Sequence, residues 1–269
     1  MKISNNKSNL DVYPADAPSV PEMASAPFSL FISDLHLCAD RPLITKAFLE
    51  FLENIAIKAD ALYILGDLFE YWAGDDDGDN SLHQKMITAF SALSDAGVSI
   101  NFMHGNRDFL VGDAFCKAAK INLLQDPTLI TLYGKRVLLS HGDDLCTDDV
   151  AYQDFRQQVR TLKWQSDFLN QSLETRKKQI KAIRLRSEQE KSLKSTKIMD
   201  VNEDAVTALL IKFDFPTLFI HGHTHRPDEH HLEIHGHSIT RWVLGDWYEQ
   251  GSYLKCSELA CKNGLLPQL

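Results

Sequence analysis

Seven candidate metal ligands fall in five short motifs. These are Ser33-Asp34-Leu35-His36, Gly66-Asp67-Leu68-Phe69, Gly105-Asn106-Arg107-Asp108, Ser140-His141-Gly142-Asp143 and His221-Gly222-His223-Thr224-His225. Asp34, Asp67 and Asn106 offer oxygen, and His36, His141, His223 and His225 offer imidazole nitrogen. Mixed oxygen and nitrogen ligation suits Mn²⁺, Fe²⁺, Zn²⁺ or Co²⁺ better than Ca²⁺ or a thiolate-held ion. In Asp34-x-His36 and His223-x-His225 the ligands stand two residues apart, and in an extended segment that spacing aims both side chains the same way. Taken singly, an Asp-x-His pair is common and Gly-Asp or Gly-Asn reads as a turn. The five together, in this order, point to a divalent-metal centre. His83, His230, His231, His235 and His237 match no motif and are expected at the surface. His104 and His221 precede their glycines inside apolar runs and are expected to be buried behind the ligands.

Each motif directly follows an apolar run. Strands are expected at Phe28-Ser29-Leu30-Phe31-Ile32, Ala61 to Leu65, Val98 to Met103, Val137-Leu138-Leu139, Thr217 to Ile220 and Ile239 to Leu244. Helical spacing of Phe48, Leu49, Leu52 and Ile55, and of Leu82, Met86, Phe90 and Leu93, places helices between the early strands. Alternating strands and helices give an α/β layered fold. Ligands in such sheets gather outside the carboxyl ends of the strands, so separate segments deliver side chains to one cleft.

Residues 151–199 differ. They contain no Gly or Pro and no strand signal, and Phe155, Val159, Leu162, Phe168, Leu169, Ile180 and Ile183 are spaced for helices. Between 155 and 197 stand twelve Lys or Arg against four acids, although the whole 269-residue chain carries a net charge of −9. Such a segment is either a solvated helix pair or a cap facing an anionic substrate or membrane surface. The acidic balance of the chain argues against a nucleic-acid partner, which wants a basic surface. Five cysteines without CxxC spacing argue against a disulfide framework or a structural zinc site, and a reducing compartment fits better. Residues 1–27 lack the apolar stretch of a secretory signal and are expected to form a disordered tail. No apolar run approaches the ~20 residues of a membrane span.

The ordered set of motifs resembles the calcineurin-like metallophosphoesterases, over residues 34 to 225. A finer match covers most of 28 to 255 and is similar to the UDP-2,3-diacylglucosamine hydrolases. It rests on Ser33 to Cys38, Tyr63 to Glu70, Gly74-Asp75-Asp76-Asp77, His104 to Leu110, His141-Gly142-Asp143, Leu145 to Asp149 with Tyr152, Ile198 to Asn202, and His221 to Pro227. The resemblance implies a sandwich of two β-sheets flanked by helices, made of residues 28–150 and 200–269, with 151–199 inserted as a lipid-binding helical cap. It implies a pair of Mn²⁺ ions, with Mg²⁺, Fe²⁺, Co²⁺ or Zn²⁺ as alternatives. One ion would take Asp34, His36, Asp67 and His225, and the other Asp67, Asn106, His141 and His223, with Asp67 bridging.

The implied reaction is hydrolysis of the UDP-2,3-diacylglucosamine diphosphate to UMP and 2,3-diacylglucosamine 1-phosphate (lipid X) in lipid A synthesis, with water attacking the α-phosphorus. Asp67, Asn106, His141 and Arg107 would act at the reaction centre. Many superfamily members carry His where this chain has Arg107. Arginine grips phosphate oxygens but is a poor proton donor, which suits a leaving group that needs little protonation. Substrate contacts would fall on Asn106, Arg107, Asp149, Tyr152, His223 and the cap residues Arg184, Ser187, Lys191 and Lys194. Those four cap residues share one helical face by their spacing. The implied protein is cytoplasmic and attached peripherally to the inner membrane at an anionic lipid surface; its oligomeric state stays open, with a monomer favoured. A lipid-independent phosphatase or pyrophosphatase is the rival enzyme, disfavoured by the basic, apolar-rich insert. A non-catalytic scaffold is disfavoured because every ligand position is filled.

Overall fold

The computed structural model describes residues 26–193 and 198–268. In chain order the elements are β1 (Phe28–Ile32), α1 (Pro42–Asn54), β2 (Ala61–Leu65), α2 (Ser81–Asp95), β3 (Ser99–Met103), α3 (Asp113–Ala119), β4 (Asn122–Leu124), β5 (Thr128–Leu132) and β6 (Lys135–Ser140). There follow α4 (Val150–Val159), α5 (Leu162–Leu169), α6 (Leu173–Leu193), α7 (Glu203–Lys212), β7 (Leu218–His221), β8 (Asp228–Ile234), β9 (His237–Val243), β10 (Gln250–Ser257) and β11 (Cys261–Gln268).

Two sheets stack face to face. One has the order β11-β10-β1-β2-β3-β4 and the other β5-β6-β7-β9-β8. The motif-bearing strands pair in parallel: β1 with β2, β2 with β3, β6 with β7, and β7 with β9. Their carboxyl ends therefore open on one side. β1, β2, β3, β6 and β7 are mostly apolar and mostly buried because both faces are covered. Alternate residues of each strand serve different layers. Leu30, Ile32, Leu62, Ile64, Ile100 and Phe102 face α1, α2 and α3, where Phe48, Phe51, Met86 and Phe90 meet them. Phe31, Leu65, Met103, Val137, Leu139 and Ile220 fill the space between the sheets. Leu138 and Phe219 pack under α7 against Val206 and Leu210.

The six expected strands are present, with small shifts at their ends. Five more, β4, β5, β8, β10 and β11, were not expected. β5, β8, β10 and β11 have one face exposed or lie at a sheet edge, so polar residues interrupt them and no continuous apolar run marks them. Cys256 and Cys261 sit opposite each other in the β10–β11 register and form a disulfide, so the expectation of no bridge is corrected. Cys38, Cys116 and Cys146 are free thiols. His83 is also corrected: it is buried and stacked on Trp72, ring centroids 3.9 Å apart, and burial pushes its pKa down to about 4.

The insert is helical, as expected, but its charge is used differently. Arg176 is buried and pairs with Asp76 while donating to the Ala73 carbonyl, and Lys177 Nζ is 2.8 Å from Asp77 Oδ1. Arg156 Nε donates to Asp143 Oδ2 at 2.9 Å, and Arg160 donates to the Gly105 carbonyl at 2.9 Å. Phe168 joins the apolar core to which α1 and α2 contribute, and Trp164 packs against it, stacked on Phe168. The basic insert is thus docked on the acidic body by specific pairs. Most of the expected N-terminal tail, residues 1–25, lies outside the described residues, as does Lys194; Lys191 lies in α6. Among the described residues, no helix is long and apolar enough to cross a membrane.

Candidate metal centre

The loops leaving β1, β2, β3, β6 and β7 meet at the carboxyl edge of the two sheets. Local hydrogen bonds lock them together. Asp34 N–H donates to the Gly66 carbonyl (3.1 Å), His36 N–H to Asp67 (2.9 Å) and Leu37 N–H to Leu68 (2.9 Å). Gly222 N–H donates to the His141 carbonyl at 2.9 Å, and Trp247 N–H to the Asp34 carbonyl at 3.3 Å. The Asp34 carboxylate accepts from Ser33 Oγ (2.6 Å) and His223 N–H (2.8 Å), which joins the β1 and β7 loops and hence the two sheets.

The expected extended geometry of the Asp-x-His and His-x-His pairs is corrected. Asp34, His36, Asp67, His223 and His225 all adopt left-handed backbone, with φ of 56°, 51°, 52°, 69° and 56°. Such backbone costs about 1–2 kcal/mol per non-glycine residue. Tight turning at each strand end folds the ligand pairs inward instead of letting them run on as strand. Two glycines make the convergence sterically feasible. A Cβ at Gly105 would stand 2.1 Å from Asp67 Oδ1, and one at Gly222 would stand 2.5 Å from Asp34 Oδ2.

All seven expected ligands come together. Asp34, His36, Asp67 and His141 are buried, and Asn106, His223 and His225 are half-buried. Asp67 stands between two groups: its Oδ2 is 3.8 Å from His36 Nε2 and its Oδ1 is 3.8 Å from His141 Nε2. His225 Nε2 lies 3.3 Å from Asp34 Oδ1 and 3.4 Å from His36 Nε2. His141 Nε2 faces Asn106 Oδ1 at 3.1 Å, and its ring is 5.1 Å from that of His223.

The three imidazoles with a resolved partner at Nδ1 present Nε2 to the centre. His141 Nδ1–H donates to the Leu65 carbonyl at 2.8 Å, His225 Nδ1 is 3.3 Å from Asp246 Oδ2, and His36 Nδ1 is 3.4 Å from Glu70 Oε2. This is the arrangement in which a ligating histidine is oriented by its second nitrogen.

The electrostatics fit a cation. Asp34 Oδ1 is buried and accepts no hydrogen bond. Burial would lower the His141 pKa, but the charges of Asp67, Asp143 and Asp34 outweigh it and drive the pKa up to about 9. Burial likewise opposes protonation of His225, and its pairs with Asp246 and Asp34 carry the pKa to about 10. The carboxylates thus pull positive charge into the site, and a divalent ion supplies it directly. Groups of Asp34, His36 and His225, and of Asp34, Asp67 and His141, bring their donor atoms within 4.8 Å of one another.

His221 is fully buried, as expected, and burial together with Arg241 lowers its pKa to about 3. His104 is half-buried and bonded to the Val111 carbonyl at 2.7 Å. The other expected site residues surround the centre or the cap. Arg107 presents its backbone N–H to Asp67 Oδ1 at 2.8 Å. Asp149 caps α4 by accepting from Tyr152 N–H at 3.2 Å, and the Tyr152 hydroxyl donates to Asp143. Arg184 reaches Glu70 Oε1 at 2.8 Å, and Ser187 is half-buried on the same helix. Sequence reasoning missed Asp246. Leu244-Gly245-Asp246 follows β9 and repeats the Leu65-Gly66-Asp67 pattern, which was the available signal. It also missed Asp108, whose carboxylate accepts from the backbone of Gly105 and Phe69 at 2.8 and 3.2 Å. Burial and the nearby charge of Asp67 raise the Asp108 pKa to about 7.

The calcineurin-like phosphoesterase family matches this chain over residues 29–227. A UDP-2,3-diacylglucosamine hydrolase from Aromatoleum aromaticum is 52% identical over 227 residues, covering 84% of this chain and 92% of that protein. One from Aeromonas hydrophila is 52% identical over 230 residues, covering 85% and 94%. An archaeal phosphodiesterase of known structure aligns over 89% of this chain and 99% of its own, at 11% identity and a TM-score of 0.43.

Gly105→Ala is expected to displace the Asp67 carboxylate and abolish tight divalent-metal retention while far-ultraviolet circular dichroism stays native. Elemental analysis of gel-filtered protein checks this. Full metal content in the variant would show that the observed pose of Asp67 is not needed.

Proposed function

The chain belongs to the calcineurin-like phosphoesterases and, within them, to the UDP-2,3-diacylglucosamine hydrolases, and on that footing we propose which of its residues carry the reaction. It is a metal-dependent hydrolase that cleaves the diphosphate of UDP-2,3-diacylglucosamine in lipid A synthesis. The observation that supports the site assignment best is Asp67, whose two oxygens face separate histidines at 3.8 Å each.

In our reading Asp34, His36, Asp67 and His225 hold one Mn²⁺, and Asp67, Asn106, His141 and His223 hold a second. Bound there, the ions supply a water of lowered pKa and positive charge against the phosphate oxygens. The protein supplies position. The buried carboxylates and the Nδ1 partners of His36, His141 and His225 fix the donor atoms before substrate arrives. Arg107 offers a guanidinium fork to phosphate oxygens without yielding a proton, which fits attack at the α-phosphorus with departure of 2,3-diacylglucosamine 1-phosphate, a phosphate leaving group that needs little protonation.

The cap, residues 151–199, is proposed to hold the diacylglucosamine phosphate. Arg184 is half-buried; one terminal nitrogen is held by Glu70, and its buried Nε makes no hydrogen bond. That orphan donor supports a place for an anionic group beside it. Ser187, Lys191 and Lys194 would extend the contact, with Asn106, Asp149, Tyr152 and His223 completing it. Acyl chains would lie along apolar cap residues. Leu162 and Leu185 are 85% and 53% exposed, and Lys163 and Lys181 lie exposed beside the same helices. We take this surface as the contact with the cytoplasmic face of an anionic inner membrane.

Hydrolysis of UDP-2,3-diacylglucosamine with Mn²⁺ in ¹⁸O-water is expected to place the label in UMP, read by mass spectrometry. Label in lipid X would overturn attack at the α-phosphorus. Replacing Arg184 and Lys194 together by Ala should raise KM for the diacylated substrate by about tenfold or more, since a hydrogen bond to a charged group contributes about 1.5–3 kcal/mol. An unchanged KM would remove these residues from the substrate site. In vesicle co-sedimentation the protein should bind anionic membranes and leave them at high salt, because exposed charge interactions are screened. Equal binding to neutral vesicles would exclude an electrostatic attachment.

A further inference from the structure

We propose that Glu70 is a positioning residue, a single buried carboxylate that orients the metal-ligand His36 and seats Arg184 of the cap at the same time. Glu70 is 4% exposed, and its backbone N–H is tied to the Leu37 carbonyl at 3.1 Å, one residue beyond His36. Three groups converge on its carboxylate. Arg41 donates to Oε2, His36 Nδ1 approaches the same oxygen at 3.4 Å, and Arg184 Nη2 lies 2.8 Å from Oε1.

The chemistry follows from the two nitrogens of His36. Nε2 faces Asp67 Oδ2 at 3.8 Å, Asp34 Oδ1 at 4.0 Å and His225 Nε2 at 3.4 Å. To ligate from Nε2, the ring must keep its proton on Nδ1. A carboxylate only accepts, so Glu70 selects that tautomer. The contact is close enough to pair but lies off the line of a good hydrogen bond, and the ring plane is held from another side as well. Tyr248 stacks on His36 with centroids 5.3 Å apart, and Arg41 lies over the Tyr248 ring at 4.7 Å.

The other oxygen of Glu70 holds Arg184 of the cap. Arg184 is anchored through a terminal nitrogen, so its remaining donors keep a fixed direction relative to His36. One carboxylate therefore sets the register between the ion-binding edge of the sheets and the helix that carries Arg184. Asp76 offers a contrast. It also pairs a cap arginine, Arg176, but is 61% exposed in its side chain and touches none of the proposed metal ligands.

This inference rests on His36 being a metal ligand, and the test separates the two. Mn²⁺ affinity of the full chain is measured by competition with a chelating dye for the native protein, His36→Ala, Glu70→Gln and Asp76→Asn. Loss of a group that orients a ligand weakens metal binding about 10–100-fold. That loss is expected for Glu70→Gln, because an amide offers one acceptor oxygen to three donors. Asp76→Asn should retain native affinity. In ¹⁵N-histidine spectra of the metal-free chain, the His36 proton should sit on Nδ1 in the native protein and shift towards Nε2 in Glu70→Gln.

Native affinity in Glu70→Gln together with weakened His36→Ala would overturn the role of Glu70 alone. Native affinity in His36→Ala would overturn the ligand assignment and this inference with it. Equal losses in Glu70→Gln and Asp76→Asn would show that a loosened cap, not ligand orientation, lowers affinity. If Glu70→Gln does not fold, Glu70→Asp makes the same comparison with the charge kept but withdrawn from His36 by one methylene.

Discussion

Negative charge buried where two sheets end is the constraint around which this protein is built. Asp34, Asp67, Asp108 and Asp143 are all nearly inaccessible, and Asp246 stands beside them. Burying an unpaired carboxylate is expensive. The structure answers with distinct kinds of compensation. Backbone N–H groups serve Asp108, arginines of the cap serve Asp143, and imidazoles serve Asp34 and Asp67. The imidazoles can do so only while protonated or while sharing a cation, which is why the same atoms that stabilise the fold also define a metal centre.

The backbone around the ligands reflects the same constraint. A strand that simply ended in a loop would splay its side chains to either face. Left-handed turns at five of the expected ligand positions instead bring donor atoms from separate strands within 4.8 Å of one another. Strain of that kind persists only where the surroundings over-determine it. Here the surroundings are largely buried strands, cross-loop hydrogen bonds, and glycines over which the carboxylates pass at a separation no Cβ would permit.

The cap completes the electrostatic arrangement. Its surplus of basic residues against an acidic body reads, in isolation, as a surface waiting for an anion. In the fold, Arg156, Arg160, Arg176, Lys177 and Arg184 all meet acids or carbonyls of the body. Docking by charge pairs, with Phe168 and Trp164 anchoring the underside, holds the helices beside the metal edge without fusing them into the sheets. Exposed residues such as Leu162 and Leu185 are left over by that docking.

Chemistry and layer order were legible in the sequence because both are written in local patterns. Five motifs after apolar runs named the seven side chains that the fold brings together, and those runs named six of the strands. The half-exposed and edge strands β5, β8, β10 and β11 were not legible, since polar faces break the apolar signal. Nor was the burial of His83, which depends on Trp72 lying over it. By itself, the sequence determined which residue types stand at the strand ends, the helical nature of the insert and the charge opposition between insert and body. Only the tertiary structure decided which acid meets which base, that the ligand pairs turn left-handed instead of running extended, and that Glu70 and Asp246 stand behind the histidines. Those choices depend on distances between segments far apart in the chain, and residue spacing along one strand carries no record of them.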